Sequence, residues 1–495
     1  MFVHHVLLRL QRWENKLYFS FENYKDILCE TTTRDLVKIV KQALYLWRYG
    51  MKNTLHIYTP NDSPRLQYIL DWILTTRMGL DWQLHHNLDE WINADGAKIS
   101  YDEITHLQTG LHIKPHGLLK NTEIAEQQLN INRWKHSTVL FYNQPSGAIP
   151  FDIFSACFFL ISRYEEYLPF TPDKHGRFPV EASAAAQFSF LEQPVVDEWI
   201  EKFAQILQHK FGLNARQNSF KFEPSYDIDL AWKYLHKESK RNVGGYLKDI
   251  ITFNFGEAIS RSMVLSGMKQ DPFYCFDALD EIHRKYDLHP RYFFLLGKYG
   301  KFDKNVAPEH PAMQFLIQKI HRSYPVGIHP SYGSHTIPNQ LEAEINSLEK
   351  TIEQPIKDSR QHFIKFKLPD TYKCLIKLGI EHDYSMGYAA ANGFRAGTCN
   401  PFPWYDLSTE QKTGLTIHPF AFMDATAKYY NKTDKEETFR EWERLFFEVK
   451  KVNGTFSCIW HNYILSDHKE FKGWRKMYER CLKLVADNKQ TMPDQ

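Results

Sequence analysis

Apolar positions recur along this chain with two different periods, and the places where one period gives way to the other outline its organisation. Residues 55–59 form a short apolar run of strand length, and Ser63-Pro64 follows as a capping residue with proline at the first helical position. Leu66, Ile69, Leu70, Ile73 and Leu74 then repeat at i, i+3, i+4, i+7 and i+8, which puts one apolar stripe on a helix. A strand followed by a helix predicts an α/β layer. Over 147–178 a nearly unbroken apolar helical stretch runs into SRYEEYLPF and then a turn-rich segment. That stretch is expected at a seam, with Arg163, Glu165 and Glu166 as an ion-pair network that docks one domain on the other.

From about residue 220 the pattern becomes a repeated strand-then-helix unit. FKFEPSYDID, PRYFFLLG, YPVGIHPS, SRQHFIKF, FRAGT, GLTIHPF and GTFSCIWHN read as strands, being short apolar runs rich in β-branched or aromatic residues and bounded by Gly, Pro or Asn. Helical patterns over 310–322, 339–352 and 436–450 separate several of them. The alternation predicts a mainly parallel sheet or a barrel, in which functional groups collect at the C-terminal ends of the strands. We therefore expect an N-terminal extension over 1–50, because Met51 opens what looks like a natural beginning. Beyond it we expect a smaller N-terminal α/β domain over 51–215 and a larger α/β domain over 216–490.

Composition narrows the function. Hydrophobic residues make up 43% of the 495 and charged residues 24%, a balance that supports packed cores. Sixty-one basic against fifty-nine acidic residues leave a net charge of +2, which offers no field for nucleic acid. The seven cysteines are scattered without a CxxC pair and read as reduced thiols, so a cytoplasmic home is expected. No stretch approaches the roughly 20 apolar residues of a membrane span, and the N-terminus lacks the layout of a signal peptide. Aromatics reach 15%, enough to fill cores and still line a carbohydrate-sized cleft.

The candidate chemistry sits at predicted strand ends. Asp227 and Asp229, two residues apart in SYDID, share one face of an extended chain. Like charges so close repel, and a cation beside them or a retained proton offsets the repulsion, although Asp229 could instead cap a following helix. His329 in GIHPS, Arg360 and His362 in SRQH, and His461 in CIWHN also fall at strand ends of the same sheet. Carboxylate plus imidazole with open positions is the ligand set of a catalytic zinc or similar divalent ion. Alternation would place Arg360 and His362 on one side of their strand, one to hold a carboxylate and the other to bind metal.

The order of these elements resembles the polysaccharide deacetylases of carbohydrate esterase family 4, over about 216–490. The family's paired-aspartate strand looks like Ser225-Tyr226-Asp227-Ile228-Asp229, and its Phe-rich second strand like Arg291-Tyr292-Phe293-Phe294. Its metal-histidine strand is similar to Gly327-Ile328-His329-Pro330-Ser331. The arginine strand with its proline-started helix is similar to Arg360–Pro369 and the helix after it, its fourth-motif aspartate to Asp383 in DYSMG, and its last-strand histidine to His461. Residues 51–215 resemble the uncharacterised N-terminal domain of a bacterial branch of that family.

The resemblance implies a distorted (β/α) barrel, an acetylated carbohydrate as substrate and a divalent metal, zinc above all. It implies Asp227 as catalytic base, Asp229 and His329 as metal ligands, Arg360 and Asp383 as supports and His461 as general acid. Two features depart from the family. Ile228 splits the usual adjacent aspartates, so the base and ligand roles of Asp227 and Asp229 could be exchanged. Gly333 stands where a second histidine is usual, which leaves His362, His335 or water as the third ligand, with His362 favoured. His418 competes with His461 as acid. The expected reaction is metal-dependent removal of an acetyl group, chiefly N-acetyl, from a sugar. A catalytically degenerate barrel that binds a glycan or a partner, and a metal-free glycosidase, are the competing readings.

Overall fold

In the computed structural model, which describes residues 54–106, 110–334, 337 and 339–489, strand β1 (Leu55–Tyr58) leads into helix α1 (Pro64–Leu70). The Ser63 side chain accepts the Leu66 N–H and caps the helix, and Pro64, with no N–H to leave unpaired, starts it. A π-helical turn over Asp71–Arg77 prolongs the helix, so all five residues of the predicted stripe are buried. Strands β2 (Trp82–His85), β3 (Ala97–Tyr101) and β4 (Leu111–Ile113) join β1 in a wholly parallel sheet, with α2 (Leu88–Asn93) between β2 and β3. A hairpin of β5 (Asn132–Trp134) and β6 (Ser137–Val139) precedes α3 (Ile153–Ile161), the expected seam helix, which is buried at every position. Helix α4 (Val195–Phe211) closes this part, ending on Gly212 in the left-handed conformation that favours glycine. The expected extension over 1–50 lies outside the described residues, as do Cys29 and His335.

In the second half β7 (Lys221–Ile228), β8 (Arg291–Leu295), β9 (Val326–His329), β10 (Asp358–Ser359) and β11 (His382–Met386) lie side by side, all parallel. β12 (Phe402–Asp406) and β13 (Gln411–Pro419) form an antiparallel pair, and β13 adds parallel to β11. On the other margin β15 (Thr455–His461) pairs with β7 and β14 (Phe422–Met423) with β15, again in parallel.

The order of the nine strands sets β13 and β14 near opposite ends of the sheet, yet only Phe420 and Ala421 separate them in the chain. So short a link reaches about 11 Å at most, and the sheet must therefore curl until β13 and β14 come close. Two backbone bonds stitch the seam, from Phe420 N–H to the Met386 carbonyl (3.1 Å) and from Ala421 N–H to the Ser457 carbonyl (3.0 Å). This mixed α/β architecture with a curled nine-stranded sheet is the coarse form of the expected fold.

Helices α5 (Ser239–Ile251), α6 (Phe255–Leu265) and α7 (Phe276–Tyr286) fall between β7 and β8, and α8 (Pro311–His321) and α9 (Gln340–Ile352) flank β9. α10 (Asp370–Lys377), α11 (Lys435–Lys451) and α12 (Trp474–Lys489) complete the set. α8 shows the usual logic, with Met313, Leu316, Ile317 and Ile320 buried along one stripe. One contiguous apolar core runs from Leu55 to Val485 and includes both sheets.

Two expected strands are not formed. Over 359–366 only Ser359 is in a strand, because beyond Arg360 the chain turns through His362–Ile364 with Phe363 at φ 61° and Ile364 at φ 51°, a left-handed backbone that no ladder tolerates. Alternation on one strand is thus not what places Arg360 and His362. Over 394–398 the chain makes a turn held by Gly397 at φ 64°, and Arg395 reaches back to Glu166 at the seam (2.6 Å). The Arg163 guanidinium binds Glu165 and Glu166, both at 2.7 Å, and the Arg395 carbonyl, so this buried network does join the two halves.

Candidate metal centre

Parallel pairing brings the carboxyl ends of the strands to one rim. His461 on β15 stands in register beside Asp227 on β7, and His329 on β9 beside Leu295 on β8. Asp229 follows just past the end of β7. Its Oδ1 lies 3.3 Å from His329 Nε2 and 3.8 Å from His362 Nε2, and its Oδ2 lies 3.6 Å from His461 Nε2.

One potential ligand atom from each of Asp229, His329 and His362 falls within 4.8 Å of the other two. Each of these imidazoles has its second nitrogen engaged. His329 Nδ1–H donates to the Arg360 carbonyl (2.6 Å), and His362 Nδ1–H to Asp303 (3.0 Å). Those bonds leave each Nε2 directed at Asp229, an arrangement shared with histidines that hold metal. Asp229 Oδ1 is buried, and among the described residues it receives no hydrogen bond of good geometry. A carboxylate oxygen facing two oriented imidazoles fits a divalent cation by donor chemistry.

Asp227 has a different environment. Its Oδ1 accepts from Arg360 Nη1 at 2.8 Å, and its Oδ2 stands 3.8 Å from His329 Nε2. Arg360 is fully buried, donates through Nε to the Tyr384 carbonyl (3.0 Å) and lies over the Phe293 ring. His461 is held from behind by Asp424, which accepts its Nδ1–H at 2.6 Å and its backbone N–H at 2.8 Å.

The charges respond to this packing. Burial by itself would raise the Asp229 carboxyl, but the rings of His362, His329 and His461 reverse that and hold it below the ordinary carboxylate range. Burial opposes charge on His461, whereas Asp424, Asp229 and Asp227 push it up to about 9. His418 does not join the cluster. It sits 3.1 Å from His382 and stacks on Tyr384, and burial together with the His382 ring and nearby arginines pushes it down to about 3.

Asp383 also stands apart from the carboxylate–imidazole cluster, accepting from Tyr372 (3.0 Å) and from the Ser385 N–H and hydroxyl. Ser385 Oγ in turn accepts the Gln361 N–H, next to Arg360. Burial pushes the Asp383 carboxyl up to about 6, despite hydrogen bonds that favour the anion. A carboxyl raised in the fold binds its proton more tightly there than in the unfolded chain. Its contribution to stability is complete below about pH 4 and is lost as pH rises through about 6. Asp383→Asn removes that dependence, so between about pH 4 and 7 the natural protein is expected to lose about 3 kcal/mol relative to the variant in denaturant unfolding. A difference that stays constant over that range would assign the titration elsewhere.

The cluster opens into a cavity of about 490 Å³, the size of a small-molecule site, walled by Phe363, Tyr429, Tyr430 and Tyr463. Lys174 and His175 complete the wall from the N-terminal half. Their segment is anchored by Arg177, which pairs with Asp173 and donates to the Phe363 carbonyl (2.6 Å), and by His175, whose Nδ1 lies 3.0 Å from the Tyr332 hydroxyl. Reading the sequence for motifs missed Lys174, His175, Asp303 and Asp424. Asp424 stands in the same segment as His418, and its only signal was a carboxylate closing the short apolar run after β13.

A model of a family of unknown function, DUF7033, matches residues 55–212. No curated protein matches the chain. Solved structures with some likeness include a candidate polysaccharide deacetylase from Mycobacterium smegmatis, at 12% identity and TM-score 0.35, covering 55% of this chain and 86% of that one. A 4-alpha-glucanotransferase from Thermococcus litoralis stands at 11% and 0.32, with 55% and 38% covered. A mutant CE4 family pseudoenzyme with restored enzymatic activity stands at 11% and 0.27, with 55% and 65% covered.

Proposed function

We propose that this protein is a metal-dependent hydrolase that removes an N-acetyl group from a carbohydrate. The single observation that carries the reading is the Asp229, His329 and His362 cluster with its buried carboxylate oxygen and both Nδ1 atoms engaged, set beside an Arg360-held Asp227. The motif resemblance over 216–490 supplies the acetylated sugar, and the aromatic wall of the cavity suits a pyranose face.

Asp229, His329 and His362 would hold the cation, with zinc the best match to a carboxylate and two imidazoles. A bound divalent ion supplies Lewis acidity at the acyl group and its attacking water. Asp227 would take the proton of the attacking water through Oδ2, while Arg360 keeps Oδ1 occupied and the carboxylate aimed. His461 delivers a proton from Nε2 to the leaving amine, and Asp424 fixes the ring that does so.

The test is metal content of the purified full chain, paired with acetate release from a panel of N-acetylated sugars before and after chelation. One tightly held zinc and acetate release that chelation abolishes are expected. A chain that retains no divalent ion after zinc loading and is indifferent to chelator would leave the degenerate, binding-only reading.

A further inference from the structure

Helices α5 and α6 are amphipathic the wrong way round for a packed hairpin. On α5, Val243, Leu247, Ile250 and Ile251 recur at i, i+4, i+7 and i+8 and all face solvent. On α6, Phe255, Ile259 and Met263 make a second exposed stripe, and Phe253 in the turn between the helices is 80% exposed. The polar faces are the ones turned inward. Asp249 pairs with Arg261 (3.0 Å), Glu257 with Lys233, and the Arg241 guanidinium donates to the Asn305 carbonyl (3.1 Å) while lying over Tyr299. A helix ordinarily buries its apolar stripe, and an apolar patch left open on this scale marks a surface that meets something.

Charge identifies the partner. The acids of the two helices, Asp249 and Glu257, are buried in ion pairs, and Glu238 at the base is the exposed acid. Lys240, Lys248 and Lys269 are exposed around the apolar stripes. We propose that the α5–α6 hairpin docks this protein on a phospholipid surface bearing anionic headgroups, with Phe253 and its neighbours entering the interface and the three lysines meeting the headgroups. Apolar insertion flanked by lysines is the physical pattern of peripheral attachment. A second copy fits less well, because a two-fold pairing of this face on itself would set the same lysines against one another. No helix among the described residues is long and apolar enough to cross a membrane, so the hairpin would lie on the surface. The hairpin follows Asp229 in the chain, and Arg241 ties it to Asn305, which lies beyond the end of β8.

The experiment is co-sedimentation of the full chain with phosphatidylcholine vesicles and with vesicles in which phosphatidylglycerol replaces a quarter of that lipid, alongside light scattering for mass in solution. The natural chain should bind the anionic vesicles and lose affinity as salt rises. Phe253→Ser with Phe255→Ser, and separately Lys240→Glu with Lys248→Glu and Lys269→Glu, should each weaken binding by about tenfold or more. Because all five positions are exposed and outside the cavity, both variants should keep the natural melting temperature and any hydrolysis of a soluble substrate. No binding to either vesicle, equal binding by the variants, or a dimer that the same substitutions dissolve would overturn the proposal. Its readout does not depend on hydrolysis and survives a failure of the functional reading.

Discussion

Under the proposed hydrolysis, Asp227→Asn is expected to retain zinc binding and lose turnover by about 10²- to 10⁴-fold, the usual contribution of a positioned base, whereas Asp229→Ala loses both. The two carboxylates differ in what faces them. Asp227 presents one oxygen to Arg360 at 2.8 Å and so has a cationic partner whether or not metal is bound. Asp229 has three imidazole nitrogens within 3.8 Å and, among the described residues, no hydrogen bond of good geometry on Oδ1. Removing it leaves His329 and His362 without the anion that would complete a site. A milder companion, Asp303→Asn, spares every proposed ligand but weakens the acceptor behind His362, and metal affinity should fall by about 10- to 100-fold. Zinc titration of the three variants against the natural chain separates them. If Asp229→Ala retained full zinc stoichiometry, the cluster would not be the site, and if Asp227→Asn hydrolysed at the natural rate, the assignment of the base would be wrong.

The second large effect is on stability. Glu166→Gln is expected to cost about 3–5 kcal/mol, because it leaves the Arg163 and Arg395 guanidinium groups buried against one remaining acid, Glu165. Burial would raise the Glu166 carboxyl, yet Arg395 and Arg163 together hold it below its ordinary range, which shows how strongly the two cations are directed at it. Replacing one partner of a buried ionic cluster is far more damaging than replacing the whole cluster with apolar residues of similar volume. Urea unfolding followed by tryptophan fluorescence would measure it. A loss below about 1 kcal/mol would mean that the network registers the two halves without stabilising them.

Period and punctuation made the parallel order of the second half readable, since runs such as PRYFFLLG and GTFSCIWHN contain little but strand formers between turn residues. The same reasoning put Asp227, Asp229, His329 and His461 at strand ends, where the structure has them on one rim. His362 also stands there, though for a different reason. It was expected from alternation along a strand, whereas the chain passes directly from it into a left-handed turn at Phe363. Asp303 and Asp424 were not legible, because a lone aspartate in a loop has no periodic signature and takes its meaning only from the imidazole it faces. The outward stripes of α5 and α6 show the same gap. Their spacing is helical in sequence, but whether a stripe faces core or solvent is decided by tertiary contacts such as Asp249 with Arg261.

The segment carrying Lys174 and His175 reaches the mouth of the cavity from a part of the chain that lies in another sheet's half of the molecule. Cutting the protein back to its nine-stranded portion would remove one side of the opening along with the fragment, leaving a wider and differently charged entrance. Inhibitor screens or specificity surveys run on such a fragment would describe a door that the intact molecule does not have.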